Sequence, residues 1–251
     1  MARARKRHIQ IELDLRRDRR GGARPGAGRK PVLRPGERPH RRVRRRPAIS
    51  AREPVHVVLR VTRDVGRLRR RRAYHAIRRA MLTVFAKDAV RIVHVSIQQN
   101  HIHLLVEAAD ATALARGMQG LQISAARHLN RAVTLDQRLP APRRGQVFVD
   151  RYHAEVIRTP RQARHCLAYV LNNWRRHRED VAGPAQRAAL VDPYSSGIRF
   201  DGWAGLTAPF AVPDGYQPLP TSPPRSWLLT TGWRRHRAIG LWEVPGPRPR
   251  A

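Results

Sequence analysis

Two short stretches of this chain carry side chains whose types and spacing could do chemistry. The first is His101-Ile102-His103, inside Asn100-His101-Ile102-His103-Leu104-Leu105-Val106-Glu107. Side chains of a strand alternate between its faces. A strand here turns His101 and His103 to one side, and Ile102, Leu104 and Val106 to the other. Two imidazoles about 6–7 Å apart along a strand can chelate one metal ion. The same spacing also fits two surface histidines on a half-exposed strand. The second stretch holds Tyr169 and Asn173, one helical turn apart and so neighbours on a helix face. Tyr169 offers a phenol that can serve as a nucleophile, and Asn173 an amide oxygen that can bind a cation. A boundary tyrosine and a solvated asparagine fit that pattern too.

Periodicity supplies the elements that must position these groups. Val55–Thr62 reads as a strand, and Arg70–Ala86 as a basic amphipathic helix with Ile77, Ala80, Met81, Val84 and Phe85 on one stripe. Arg91–Gln98 and His101–Glu107 read as two strands of a hairpin, because Asn100 tolerates a tight turn. Ala111–Ala132 reads as a helix capped by Asp110, weakened at Gly117 and Gly120. Residues 146–158 form a strand or loop. Thr159-Pro160-Arg161-Gln162 is a helix start with a capping box. It opens a helix over 160–178 whose apolar stripe is Ala163, Cys166, Leu167, Val170, Leu171 and Trp174. The order β-α-β-β-α-β, followed by one more helix, predicts an α+β fold: a ferredoxin-like antiparallel sheet with an additional C-terminal helix carrying the tyrosine.

Charge narrows the partners. The 251 residues include 51 Lys+Arg against 18 Asp+Glu, a formal net charge of +33. Self-repulsion on that scale calls for a polyanion, and nucleic acid is the default. Only Lys6, Lys30 and Lys87 are lysines; arginine, the rest, grips phosphate with a planar fork. Residues 1–50 hold 18 basic and 4 acidic residues and read as a basic flexible arm. Its Gly28-Arg29-Lys30-Pro31 piece, with Arg24 upstream, suits phosphate or minor-groove contact. A second cluster, Arg67, Arg69, Arg70, Arg71, Arg72, Arg78 and Arg79, lies on or before the first helix; it suits phosphate contact or a solvated face. Residues 51–180 form the main domain. Residues 181–251, rich in Pro and Gly with Trp203, Trp227, Trp233 and Trp242, read as an irregular extension. No apolar run approaches the length of a membrane span, and the single cysteine, Cys166, excludes a disulfide framework or a Cys-rich zinc site. The expected location is the cytoplasm.

A hydrophobe-flanked histidine pair on a strand, then a tyrosine with an amide one turn later on a C-terminal helix, resembles the single-tyrosine HUH transposases. Within them the chain is most similar to the REP-associated tyrosine transposases. The resemblance spans about residues 55–178. It rests on Val55-His56-Val57-Val58-Leu59-Arg60-Val61, on Gln98-Gln99-Asn100-His101-Ile102-His103-Leu104-Leu105-Val106-Glu107, on Arg116-Gly117-Met118-Gln119-Gly120-Leu121, on Val147-Phe148-Val149-Asp150-Arg151-Tyr152-His153 and on Ala168-Tyr169-Val170-Leu171-Asn172-Asn173. Gly-Ala-Gly-Arg-Lys-Pro in the arm adds to it. Trp174 departs from the Pro of many relatives, and the chain beyond about residue 200 matches nothing in the family.

The resemblance implies a strand transferase that nicks and rejoins single-stranded or hairpin DNA. Tyr169 would be the catalytic nucleophile, forming a covalent 5′-phosphotyrosine. His101, His103 and Asn173 would hold Mg2+ or Mn2+. Such a protein works as a monomer or homodimer in the bacterial cytoplasm, nucleoid-associated when bound to DNA. A phenol ionises only near about pH 10, so its proton needs an acceptor, and His153 and His165 are candidates. Tyr152 is a second tyrosine that could face the site, while Tyr74, Tyr194 and Tyr216 read as packing or tail residues. Two other readings remain: a non-catalytic nucleic-acid-binding protein derived from this fold, and a replication initiator or relaxase. The latter usually has larger domains or tyrosine pairs.

Overall fold

The structure is a computed structural model that describes residues 48–85, 88–206 and 210–246. Most of the arm over residues 1–50, including its proposed DNA contacts Arg24, Arg29 and Lys30, lies outside the described residues. Strand β1 (Val55–Arg60) is followed by helix α1 (Arg71–Phe85), strands β2 (Val90–Ile97) and β3 (His101–Ala108), helix α2 (Ala111–Asp136), strand β4 (His153–Val156) and helix α3 (Pro160–Arg176). The four strands form one sheet in the order β2-β3-β1-β4. Every neighbouring pair is antiparallel, which is the ferredoxin-like arrangement.

Strand alternation divides the sheet into two faces. Val55, Val57 and Leu59 of β1 and Ile102, Leu104 and Val106 of β3 are fully buried against α1 and α2. Those helices contribute Ile77, Met81, Leu114, Met118 and Leu129. Gly117 allows α2 to approach the sheet, since a Cβ there would lie 2.8 Å from a methyl of Val90. The same requirement accounts for a glycine in mid-helix. The opposite face carries His56, His101, His103 and Leu105, and α3 lies over it. Thr159 and Gln162 close the expected capping box at the α3 N-terminus, and Asp110 caps α2 through the Ala113 amide.

The chain after α3 is irregular; among the described residues it holds two short α-helices, α4 (Pro184–Ala188) and α5 (Trp227–Thr230), and three single 3-10 turns. It nonetheless builds half of the second core. Phe200, Trp203, Leu228, Leu229, Trp233 and Ile239 pack with Leu167 and Leu171 of α3 against Val93 and Leu105. Polar anchors fix it in place. Buried Glu107 accepts hydrogen bonds from the backbone amides of Arg225 and Ser226 at 2.8–3.0 Å. Arg69 donates to both carboxylate oxygens of Asp192, at 2.9 and 2.8 Å, and lies 4.5 Å above the Tyr194 ring.

This burial corrects one expectation. The Arg69 side chain is only 4% exposed and its charge is answered by Asp192 and Glu179. It ties the post-α3 segment to the start of α1 and is not available to a phosphate. Removing one member of such a pair would strand a buried charge.

Trp233 tests whether the post-α3 segment is core. Its side chain is 2% exposed, so Trp233→Ala should lower unfolding free energy by about 3–5 kcal/mol, read by chemical denaturation. A loss below about 1 kcal/mol would show that this segment is not part of the cooperative unit.

Candidate active site

The register of β1 against β3 assembles the site. His103 pairs opposite Val58, His101 opposite Arg60 and Leu105 opposite His56. His56, two residues from Val58 on β1, therefore shares a face with His103. Their rings stack at 5.2 Å, with His56 Nε2 3.1 Å from His103 Nδ1. The His101 and His103 rings lie 4.6 Å apart. From α3, the Tyr169 ring meets His103 edge-on at 5.1 Å and His56 at 5.8 Å. One turn on, Asn173 is completely buried. At the end of α3, the His177 ring stands 5.7 Å from His101.

Hydrogen bonds fix which nitrogens face inward. Asn100 Oδ1 lies 2.8 Å from His101 Nδ1. That oxygen only accepts, so Nδ1 carries the proton and Nε2 keeps its lone pair. His103 Nδ1 is occupied by His56, and His103 Nε2 is buried with no hydrogen-bond partner. Both amide atoms of Asn173 are likewise buried and unpartnered. Such orphaned groups cost free energy unless a ligand answers them.

Burial holds these imidazoles neutral. Desolvation first, then the charges of His101, His56 and His177, pushes His103 down to about 2. Desolvation, then His177 and Arg60, lowers His101 to about 4. Desolvation, then His153, lowers His56 to about 4. Neutral imidazoles with free lone pairs and an unpartnered amide oxygen are donors that suit a divalent cation. Among the described residues, no group of three or more His, Cys, Asp or Glu side chains could hold an ion. Asn173, with its amide oxygen buried and unpartnered, offers an oxygen donor from α3. The residues fit a cation of mixed nitrogen and oxygen preference.

The four residues singled out by spacing, His101, His103, Tyr169 and Asn173, thus lie on one sheet face and the helix above it. Other sequence candidates scatter. Tyr152 is buried in the core under α1 and α2, and Tyr74, Tyr194 and Tyr216 form a separate ring cluster. Tyr169 is the tyrosine that touches the imidazoles among the described residues. His165 is exposed and lines the cleft beside Tyr169; His153, on β4, is also exposed. Arg70, Arg71 and Arg72 line a second hollow of about 470 Å3 with His75 and Asp136. Arg72 reaches Asp136 at 2.6 Å, Arg78 donates to the Pro218 carbonyl, and Arg79 is exposed. Spacing alone missed His56 and His177. The signal for His56 was its phase: it alternates with buried Val55 and Val57, so it had to point away from the α1–α2 core.

A ferredoxin-like sheet thus presents paired neutral histidines to a helix-borne tyrosine. Residues 52–173 match the family model described as transposase, IS200-like. A solved structure of a REP-associated tyrosine transposase bound to a REP hairpin aligns with 53% of this chain and 72% of that one, at 16% identity and a TM-score of 0.37. No curated protein matches. No helix among the described residues is long and apolar enough to cross a membrane.

The depressed histidines predict a pH dependence. Unfolded imidazoles protonate near about pH 6.5, while the folded site resists protonation to lower pH. The unfolded state therefore binds more protons in that window, and stability of the metal-free protein falls as pH drops from about 6.5 toward 4. Denaturation curves across this range should be steeper in pH for the wild type than for His103→Asn. Equal slopes would contradict a desolvated, neutral His103.

Proposed function

We propose that this protein is a strand transferase that nicks and rejoins single-stranded or hairpin DNA through Tyr169. The observation that carries the reading is the Tyr169 ring set 5.1 Å from His103, beside buried donor atoms that nothing else satisfies. A nucleophile on a packed helix next to an electrophile-binding cluster is the arrangement covalent phosphoryl transfer needs.

In the proposed step, Tyr169 Oη attacks a backbone phosphorus. The Oη–P bond forms, the P–O3′ bond breaks, and the released 3′ oxygen takes up a proton. The product is a 5′-phosphotyrosine and a free 3′-hydroxyl. The reverse attack by a 3′-hydroxyl rejoins a strand and frees the phenol, so phosphodiester energy is conserved. The phenolic proton leaves to water or to His165, which stands in the same cleft. His101, His103 and Asn173 would hold Mg2+ or Mn2+. That ion would supply polarisation of the phosphate and charge neutralisation. His56 is a positioning residue: its Nε2 accepts a hydrogen bond from His103 Nδ1–H, which leaves His103 Nε2 directed at the site.

DNA is the proposed substrate because a net charge of +33 calls for a polyanion and because residues 52–173 match a transposase family model. Arg70, Arg71, Arg72 and Arg79, with Arg78 at their edge, would hold hairpin phosphates along α1, and the arm with Arg24, Arg29 and Lys30 would add counterion release.

Tyr169→Phe should keep DNA affinity within about twofold and abolish the covalent protein–DNA adduct on a denaturing gel. An adduct that survives the substitution would refute the role. Wild-type protein that shifts hairpin DNA in a native gel but never forms an adduct would favour a binding protein without catalysis. His56→Ala should weaken Mn2+ binding about 10- to 100-fold, followed by electron paramagnetic resonance of free Mn2+. Unchanged affinity would remove His56 from the site.

A further inference from the structure

Beside Tyr169 opens a cleft of about 1310 Å3 whose lining includes His56, His103 and Tyr169. The start of α3 lines it with Arg161 and His165. Residues 235–237 and 243–246 line it as well, and they lie outside the segment matched to the transposase family. We propose that this cleft is the track of the unpaired DNA strand next to the scissile phosphate, and that Arg235 and Arg237 of the C-terminal segment bind its phosphates. The inference rests on the strand-transfer reading of Tyr169 and adds to it a substrate path that the family domain alone does not contain.

Charge favours an anionic occupant. The charged side chains at the cleft are Arg161, Arg164, Arg235 and Arg237 against Glu155 and Glu243. Arg164 is buried and committed: its guanidinium pairs with the Glu243 carboxylate. Arg161, Arg235 and Arg237 remain against Glu155 alone, and all three arginines are exposed. The uncompensated cations thus line the way to the nucleophile.

The C-terminal segment is also rigidly tied to the helix that bears Tyr169. Arg164 donates to the carbonyls of Arg237 and Ala238, each at 3.1 Å. Asn172 donates to the Gly240 carbonyl at 2.9 Å, and Arg175 to that of Leu241 at 2.7 Å. These bonds come from the turns before and after Tyr169. They hold the 235–241 backbone at a set position relative to the phenol, as a binding site requires.

The third observation concerns Arg235. Its guanidinium lies 4.8 Å over the ring of Trp227, and that ring is 47% exposed. An arginine held on an aromatic surface loses less freedom when it binds, and its free face can take a base or a phosphate. For in-line attack, a phosphate must come within about 3–3.5 Å of the phenol oxygen. An unpaired strand can enter the cleft to do so.

The test uses the full chain and two fluorescent probes: a blunt DNA hairpin, and the same hairpin carrying a single-stranded extension. Arg235→Ala/Arg237→Ala should bind the extended probe about tenfold more weakly, with blunt-hairpin affinity within twofold of wild type. The slope of log K against log salt on the extended probe should fall by about 1.4, two single-strand phosphates' worth. Arg235→Lys/Arg237→Lys keeps both charges and should restore most of that slope. Equal losses on both probes, or no loss on either, would overturn the proposal. The adduct assay separates this from the catalytic reading. Wild type forming an adduct while the double alanine variant binds normally sinks the track alone. Absence of adduct from wild type sinks strand transfer, while extension-dependent loss of binding would still support the track.

Discussion

Everything at the candidate site depends on the antiparallel register of β1 against β3. Val58 opposite His103 and Arg60 opposite His101 set three imidazoles on the face under α3. Slipping either strand by one residue would send them into the α1–α2 core and turn Val57 and Leu104 outward. The apolar phase of both strands prevents that slip. The hydrophobic effect on one face therefore positions the imidazoles on the other. The same burial removes water from the imidazoles and keeps them neutral, which is the protonation state a cation site needs.

Much of this was legible in the sequence because it is local. Period-two alternation is enough to put His101 and His103 together, and helical spacing is enough to stack Tyr169 over Asn173. The Thr159–Gln162 capping box fixed where α3 begins. What was not legible depends on contacts between distant residues. His56 meets His103 across 47 positions, through a strand pairing that no local pattern specifies. Arg69 looked like its arginine neighbours, and only the fold brings it to Asp192, 123 positions away. The post-α3 chain read as irregular because its anchors, Phe200, Trp203, Trp233 and Ile239, follow no period and are separated by Pro and Gly. Each nevertheless fills the second core.

That second core changes how the site is understood. Glu107 lies on β3, on the same face as the histidines, and its carboxylate holds the backbone at Arg225 and Ser226. Asn172, next to Asn173, holds Gly240. The elements carrying Tyr169 and the histidines thus also fasten the C-terminal segment against them. The matched segment carries Tyr169 and the histidines, and residues beyond it line one side of the cleft beside them.

Peptide mapping of the trapped complex tests the central claim most directly. Trypsin cuts after Arg164 and Arg175, so Tyr169 lies alone among tyrosines in the peptide of residues 165–175. After incubation with a hairpin carrying a single-stranded extension, Mn2+ and then nuclease, mass spectrometry should find a nucleotide phosphate on that peptide and on none of the others. The same mass on a peptide holding Tyr152, Tyr194 or Tyr216, with residues 165–175 unmodified, would contradict a site built on Tyr169 and His103.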